Sequence, residues 1–95
     1  MDELRWTQTA VQDLDDIGSY IAEDSPRSAE AIVRRLVEAA AFLAYYPEIG
    51  RLGRVAGTRE LVVAGTPYII VYRVQAAIEI LTILHTARKW PDRFD

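Results

Sequence analysis

The chain has 95 residues with a net charge of −3, and with 51% hydrophobic and 26% charged residues it is large enough for one core and too hydrophobic to be disordered. It contains no cysteine and one histidine, which excludes disulfides, thiolate zinc sites, a cysteine nucleophile and a histidine metal cluster. No apolar run approaches the ~18 residues that span a bilayer, and the N-terminus lacks the pattern of a signal peptide. We therefore expect a cytoplasmic protein without membrane association. We also expect a single domain over residues 1–95 that needs no metal or cofactor.

Two helices are predicted in the first half of the chain. The first covers residues 8–23, where apolar residues recur at helical spacing, and Thr7 is its expected N-cap. The second begins at Ser25 and Pro26, which supply a capping hydroxyl and a preset φ, and its apolar face continues for about five turns, until Pro47 stops it. Only a few residues separate the helices, so an antiparallel hairpin is expected.

Strands are predicted in the second half. After a loop rich in glycine and arginine, residues 58–63, 68–75 and 78–84 are rich in β-branched and aromatic side chains. A short strand is also predicted near the N-terminus, at residues 3–6. The order β-α-α-β-β-β predicts an α+β fold, in which the helical hairpin packs on a mainly antiparallel three-stranded meander preceded by the N-terminal strand.

Charge is distributed unevenly, with a net charge of −6 in residues 1–50 and +3 in residues 51–95. Either the helices simply expose acids, or the second half carries a basic working surface. Strand alternation would allow Arg59, Arg73 and His85 to converge if the register permits it. Further basic residues lie in the flanking loops: Arg51, Arg54, Arg88 and Lys89. Both faces of the predicted sheet are mostly apolar, so the pattern leaves the inward face undecided.

The arginines have two physical interpretations. Arginine binds phosphate in bidentate fashion, so arginines around one histidine could hold an RNA backbone and supply acid–base chemistry. Alternatively, Arg73 neutralises Glu60 or Glu79 on a neighbouring strand, and His85 merely ends a strand.

The segments "GRLGRVAGTRELVVAGTPYIIVYRV" and "IEILTILHTARKWP" resemble the RelE/ParE superfamily of toxins from bacterial type II toxin–antitoxin modules. The segments "AVQDLDDIGSYIA", "SPRSAEAIVRRL" and "LAYYPEIGR" look like the helical hairpin of that superfamily and its "P-x-x-G-R" exit. The resemblance covers nearly the whole chain. It implies a compact α+β toxin of a plasmid-stabilisation or addiction module that arrests bacterial growth, is neutralised by a cognate antitoxin, and can form a homodimer within the toxin–antitoxin complex.

The superfamily divides by target. RelE-like members cut mRNA on the ribosome without metal, whereas ParE-like members bind and poison DNA gyrase. In RelE-like nucleases the strand that corresponds to residues 68–75 resembles "RLVY", with an arginine at the scissile phosphate. Here this strand contains "IIVY", with Ile69 in the place of that arginine. The chain also has no tyrosine near its C-terminus. Isoleucine cannot stabilise charge, so the resemblance favours the ParE-like branch. In the alternative nuclease, the catalytic residues would be His85, Arg59 and Arg73.

The resemblance also implies residues that bind the target or the antitoxin: Arg51, Arg54, Arg59, Arg73, His85, Arg88, Lys89 and Trp90. Trp90 follows the last predicted strand, where it would either anchor a partner or fold back over a sheet edge. We expect an antitoxin segment with acidic side chains toward the Arg59 to Arg73 region and aliphatic side chains toward the helices.

Overall fold

The computed structural model describes residues 2–87, which form two helices on one face of a five-stranded sheet. In chain order the elements are β1 (Leu4–Trp6), α1 (Gln8–Ala22), α2 (Pro26–Phe42), β2 (Arg51–Leu52), β3 (Arg59–Val62), β4 (Tyr68–Val74) and β5 (Ile78–His85). The sheet order is β1-β5-β4-β3-β2, with β1 parallel to β5 and the other pairs antiparallel. The predicted α+β class, the N-terminal strand and the meander are confirmed; β2 lies where a loop was expected.

Both helices begin at the predicted caps. The Thr7 hydroxyl accepts a hydrogen bond from the Ala10 amide at 3.1 Å, and the Ser25 hydroxyl accepts one from the Ser28 amide at 3.1 Å, with Pro26 in the first helical turn. These bonds satisfy amides that the first turn of a helix leaves without a partner. Within residues 2–87, neither helix combines the length and the apolar character required to cross a bilayer.

The main core lies between the helices and one face of the sheet. From β4, Tyr68, Ile70 and Tyr72 pack in this core, and Leu36 and Leu43 meet them from the helical side. Each large apolar side chain buried here contributes about 1.5–3 kcal/mol to folding. The alternation of β4 therefore directs Tyr68, Ile70 and Tyr72 toward the helices, which decides the question that the sequence left undecided.

A smaller apolar cluster lies on the opposite face of the sheet. It consists of Ile69, Val71 and Leu81, with Leu84 packed against them. All three central members are buried. Because both faces of β4 are buried, the strand is apolar almost throughout, and period-2 alternation could not identify its inward face.

The outer side of β5 is only partly covered by β1, because Trp6, the last residue of β1, pairs with Ile80. The residue after β1 continues the cover. The Thr7 amide donates to the Ile80 carbonyl at 3.0 Å, and the Thr7 hydroxyl donates to the Leu81 carbonyl at 2.8 Å. Thr7 therefore begins α1 and also satisfies backbone groups of β5.

Asp13 of α1 binds the next part of β5, beyond Leu81. Its Oδ2 atom accepts hydrogen bonds from the Ile83 amide at 3.0 Å and from the Thr82 hydroxyl. These residues adjoin an irregularity in the β4–β5 register between Val71 and Tyr72. We call Leu81–Ile83, with Thr7 and Asp13, the closed edge of the sheet.

The opposite side of the sheet ends differently. β2 pairs only with Arg59 and Glu60 of β3. The Val63 amide donates to the Tyr68 carbonyl at 3.1 Å, so the backbone of Val63 faces β4 and, by antiparallel alternation, that of Val62 faces outward. Val62 has no strand partner on that side within residues 2–87, and it is 49% exposed.

A groove of about 500 Å³ lies between β3 and α2, beside Val62. Phe42 of α2, which is 46% exposed, and Leu61 of β3 contribute apolar walls, and Arg35 donates a hydrogen bond to the Ala64 carbonyl nearby. We call Leu61–Val62, together with this groove, the open edge of the sheet.

Candidate functional site

Arg51 and Arg54 share one carboxylate. The side chain of Glu60 is only 2% exposed, and its Oε1 atom accepts hydrogen bonds from Nε and Nη2 of Arg51 at 3.1 and 3.0 Å. Its Oε2 atom accepts one from the Arg54 amide at 2.8 Å and lies 3.5 Å from Arg54 Nε. Glu60 therefore attaches the loop before β3 to the sheet, and removing one member of such a group would leave charge without its partner.

Arg59 and Tyr72 hold the segment that leaves α2. Arg59 Nη1 donates to the carbonyls of Gly50 at 2.8 Å and Glu48 at 3.2 Å. The Tyr72 hydroxyl donates to the Pro47 carbonyl and accepts from the Gly50 amide, at 2.8 and 2.9 Å. Burial raises the pKa of the Tyr72 phenol above its ordinary value, so this group stays protonated at neutral pH.

These contacts give the "P-x-x-G-R" segment a physical explanation. Pro47 supplies the carbonyl that Tyr72 binds, and Arg51 reaches Glu60. At Gly50, a Cβ atom would lie 2.5 Å from the Tyr72 hydroxyl, closer than any side chain could tolerate. Glycine is therefore required by the close approach of the loop to the sheet.

Arg73 pairs with Glu79 across β4 and β5. Its Nη2 and Nε atoms lie 2.6 and 2.7 Å from Glu79 Oε1. Both side chains are about one-third exposed. The interpretation in which Arg73 neutralises an acid on a neighbouring strand is confirmed, with Glu79 as the partner.

His85 is the last residue of β5. Its Nδ1 atom accepts a hydrogen bond from the Ala87 amide at 3.0 Å, which places the proton of the neutral imidazole on Nε2. Its ring meets that of Tyr68 edge to face, with centroids 5.5 Å apart. Both rings line a cavity of about 260 Å³ under α1, together with Asp13 and Asp16.

The register does not bring Arg59, Arg73 and His85 together. Arg59 pairs with Tyr72 and His85 pairs with Tyr68, so both lie on the helix side, separated along β4 by four residues or ~13 Å. Arg73 follows Tyr72 in the strand and lies on the opposite face. The register therefore does not permit the convergence: Arg59 and His85 share a face but are apart along β4, and alternation places Arg73 on the other face.

The roles of two acids were not predicted, since Glu60 was considered only as a partner of Arg73 and Asp13 was not singled out. Glu60 and Asp13 organise the loop and the closed edge, and only the register identifies their partners; the one available signal was a single acid at residue 60 after three nearby arginines. Residues 2–87 contain no group of three or more side chains suited to metal ligation. The predicted binding residues Arg88, Lys89 and Trp90 lie outside the described residues.

Comparison with protein families decides the lineage. Residues 4–90 match the family described as "ParE toxin of type II toxin-antitoxin system, parDE".

The chain belongs to the ParE toxin family.

Curated relatives of this ParE family member agree with that assignment. This chain is 49% identical over 88 residues to the toxin Y4kP of Sinorhizobium fredii, and the alignment covers 93% of the chain and 92% of the relative. It is 45% identical over 89 residues to Toxin RelE2 of Caulobacter vibrioides, covering 93% and 99%. The chain is thus a type II toxin of the RelE/ParE superfamily, and the predicted superfamily is confirmed.

Solved structures extend the agreement to the fold. The ParE family member superposes on a chain of the chromosomal ParDE system from P. aeruginosa with a TM-score of 0.81 and 32% identity, covering 90% of this chain and 96% of that one. It superposes on a chain of the RelBE2 toxin–antitoxin complex from Mycobacterium tuberculosis with a TM-score of 0.66 and 28% identity, covering 88% and 96%. The matched chains of these two toxin–antitoxin systems therefore share the α+β architecture of this chain.

Proposed function

We propose that this ParE family member arrests bacterial growth by binding DNA gyrase, without a catalytic step of its own, and that an antitoxin encoded beside it neutralises it. The module would stabilise the replicon that carries it, and the toxin would act in the cytoplasm, where gyrase acts on DNA. The alternative is a RelE-like, ribosome-dependent mRNA endonuclease.

The pairing of the basic side chains carries the proposal. Arg73 is engaged by Glu79, while Arg51 and Arg54 share Glu60. These ion pairs tie the arginines to the fold, and none of the three lines the cavity that contains His85, the acid–base candidate of a nuclease. Arg73 is thus better suited to holding the fold, and Arg51 and Arg54 to holding the fold and contacting a protein, than to stabilising the charged transition state of RNA cleavage.

Ile69 gives a second reason. It stands where the resemblance to RelE-like nucleases would have an arginine, and it is 3% exposed in an apolar cluster with Val71 and Leu81. A guanidinium at this place would lose its hydration without gaining a carboxylate in the cluster. The apolar surroundings of Ile69 therefore favour the protein-binding function.

The nuclease alternative has its own support. One relative, 45% identical, carries the name Toxin RelE2. His85 also lies at a cavity with Asp13 and Asp16, and an imidazole beside carboxylates is a common acid–base arrangement. In this alternative His85 would act without Arg59 and Arg73, which lie elsewhere.

Two assays on the purified toxin separate the alternatives. The first measures gyrase supercoiling and the accumulation of the cleavage complex, and the second measures mRNA cleavage on programmed ribosomes. We expect activity in the first assay only. Cleavage of mRNA without any effect on gyrase would refute the gyrase proposal, and a His85→Gln variant would then test the acid–base role.

The open edge supports the antitoxin part of the proposal. The outward backbone of Val62 offers a donor and an acceptor to an added strand, and the adjacent groove offers apolar surface at Phe42 and Leu61. Nearby, the side chains of Arg51 and Arg54 are more than half exposed beside the buried carboxylate of Glu60. An antitoxin strand with aliphatic side chains toward α2 and acids toward these arginines would match both surfaces.

A further inference from the structure

The cavity between α1 and the end of β5 has no role in the gyrase proposal. Its volume is about 260 Å³. Asp13, Asp16 and Tyr20 line it from α1, and Tyr68 and His85 line it from the sheet. Among residues 2–87, no lysine or arginine belongs to the lining, so the described part of the cavity combines acids with aromatic rings.

The two carboxylates differ in their engagement. Asp13 Oδ2 already accepts hydrogen bonds from Thr82 and Ile83. Asp16 is exposed, and its Oδ1 atom accepts one hydrogen bond from Gln12 Nε2 at 2.9 Å. A long polar side chain on the solvent surface is readily displaced, so Asp16 is the carboxylate that can pair with an incoming cation.

The aromatic lining suits the same ligand. Tyr20 is 71% exposed, although a large aromatic side chain normally buries most of its area. The faces of tyrosine rings attract ammonium and guanidinium groups, and apolar walls such as Ile17 accept the aliphatic stem of a basic side chain. An anionic ligand, by contrast, would face two carboxylates.

The position of the cavity indicates where the basic side chain comes from. Tyr68 and His85 are paired across β4 and β5, and Val63, which follows the open edge, bonds to Tyr68. Strands are spaced ~4.8 Å apart, so the cavity lies only ~10 Å across the sheet from the open edge. A partner strand seated at Val62 would therefore bring its flanking residues close to the cavity.

We propose that this cavity receives an arginine or lysine side chain of the antitoxin, with its cationic head at Asp16 and its stem between Tyr20 and Tyr68. The proposal rests on the proposed function, because it takes the antitoxin as the partner. It assigns opposite chemistry to two parts of the antitoxin, with acids toward Arg51 and Arg54 and a base at this cavity.

The chemistry of the cavity is tested first without the antitoxin. Wild-type toxin is titrated with N-acetyl-arginine amide, and with the neutral isostere N-acetyl-citrulline amide, while NMR signals of Tyr20, Tyr68 and His85 are followed. We expect saturable shifts with the arginine derivative only. Equal responses to both compounds, or none at these residues, would overturn the proposal.

Neighbouring acids on α1 supply matched variants. Asp16→Asn should weaken binding of the arginine derivative about fivefold, as expected for loss of one exposed ion pair, whereas Asp15→Asn should change it less than about twofold. Asp15 lines a different groove, with Val11 and Leu14, so the same charge change is made outside the cavity. Equal losses in both variants would reduce the effect to net charge and overturn the proposal.

The antitoxin encoded beside the toxin gene is then tested against the same proteins. Asp16→Asn should raise the dissociation rate of the complex about fivefold relative to Asp15→Asn, and the difference should shrink at high salt. If the antitoxin binds wild type and both variants equally, the cavity does not hold its side chain and the proposal fails. If it does not bind wild-type toxin, the proposed function fails instead, while the arginine titration still reports on the cavity.

Discussion

The outer strands β1 and β2 are both shorter than the strands with which they pair. The parts of β5 and β3 that extend beyond them are nevertheless covered to different extents. Beyond β1, side chains of Thr7 and Asp13 take up the backbone groups of β5. Beyond β2, Val62 keeps an outward-facing backbone and an exposed side chain. An unpaired strand edge invites association, so the difference distinguishes an edge that belongs to the fold from one suited to a partner.

Breaking the closed edge should have the largest effect. Asp13→Ala removes the acceptor of two hydrogen bonds and leaves the Ile83 amide and the Thr82 hydroxyl unsatisfied, so the free energy of unfolding should fall by about 2–3 kcal/mol. Urea denaturation measures this. Asp15→Ala, an exposed change on the same helix, should stay within about 0.5 kcal/mol. A similar loss in the two variants would mean that Asp13 does not hold β5.

Loosening the loop that supplies β2 should have a smaller effect. Tyr72→Phe removes the hydroxyl that bonds Pro47 and Gly50, at a cost of about 1–2 kcal/mol. Because burial raises the pKa of Tyr72 in the folded state, its contribution is present below the ordinary phenol value near 10 and is lost as pH rises through the folded-state pKa.

The alkaline decrease in stability should therefore be shallower in Tyr72→Phe than in wild type. Denaturation curves between pH 8 and about 11 would measure it, with the exposed Tyr46→Phe as the control. An alkaline decrease of unchanged steepness in Tyr72→Phe would contradict the assignment.

Blocking the open edge should affect binding more than stability. Val62→Pro removes the outward N–H, and proline is tolerated on the outer side of an edge strand. Affinity for the antitoxin, measured by calorimetry, should fall about tenfold, or ~1.4 kcal/mol, with a stability change below about 1 kcal/mol. Val62→Thr keeps the N–H and should bind nearly as well as wild type. If the two variants bind alike, no strand is added at this edge.

The smallest effect is expected at Arg73, away from both edges. Its pair with Glu79 is partly exposed, so Arg73→Ala should lower the free energy of unfolding by less than about 1 kcal/mol. Growth arrest by the variant should equal that of wild type, measured by colony counts after induction. Loss of growth arrest in a stably folded variant would instead mark Arg73 as a contact with the target.

Local signals in the sequence predicted most of the fold. The caps Thr7 and Ser25 and the helical periodicity located both helices, because capping and amphipathicity depend on residues close together in the chain. β2 escaped prediction, since two residues between glycines carry no periodic pattern. The inward face of β4 could not be predicted because Ile69 and Ile70 are both buried.

The candidate site was less predictable because it depends on register. The sequence named Glu79 as one partner for Arg73, yet it could not show that Arg59 and His85 lie at opposite ends of β4. Glu60 and Asp13 carried no pattern of their own. Their importance comes from burial and from partners that only the folded sheet brings within reach.

The closed edge also sets the order of events during synthesis. Thr7 and Asp13 find their partners 69 to 74 residues later in the chain, in β5, the last strand within residues 2–87. Pairings of such long range form late in folding, because most of the chain must be ordered to bring them together. A nascent chain that lacks β5 cannot close β1 and α1 over the core, so the N-terminal elements complete their packing only after β5 has been synthesised.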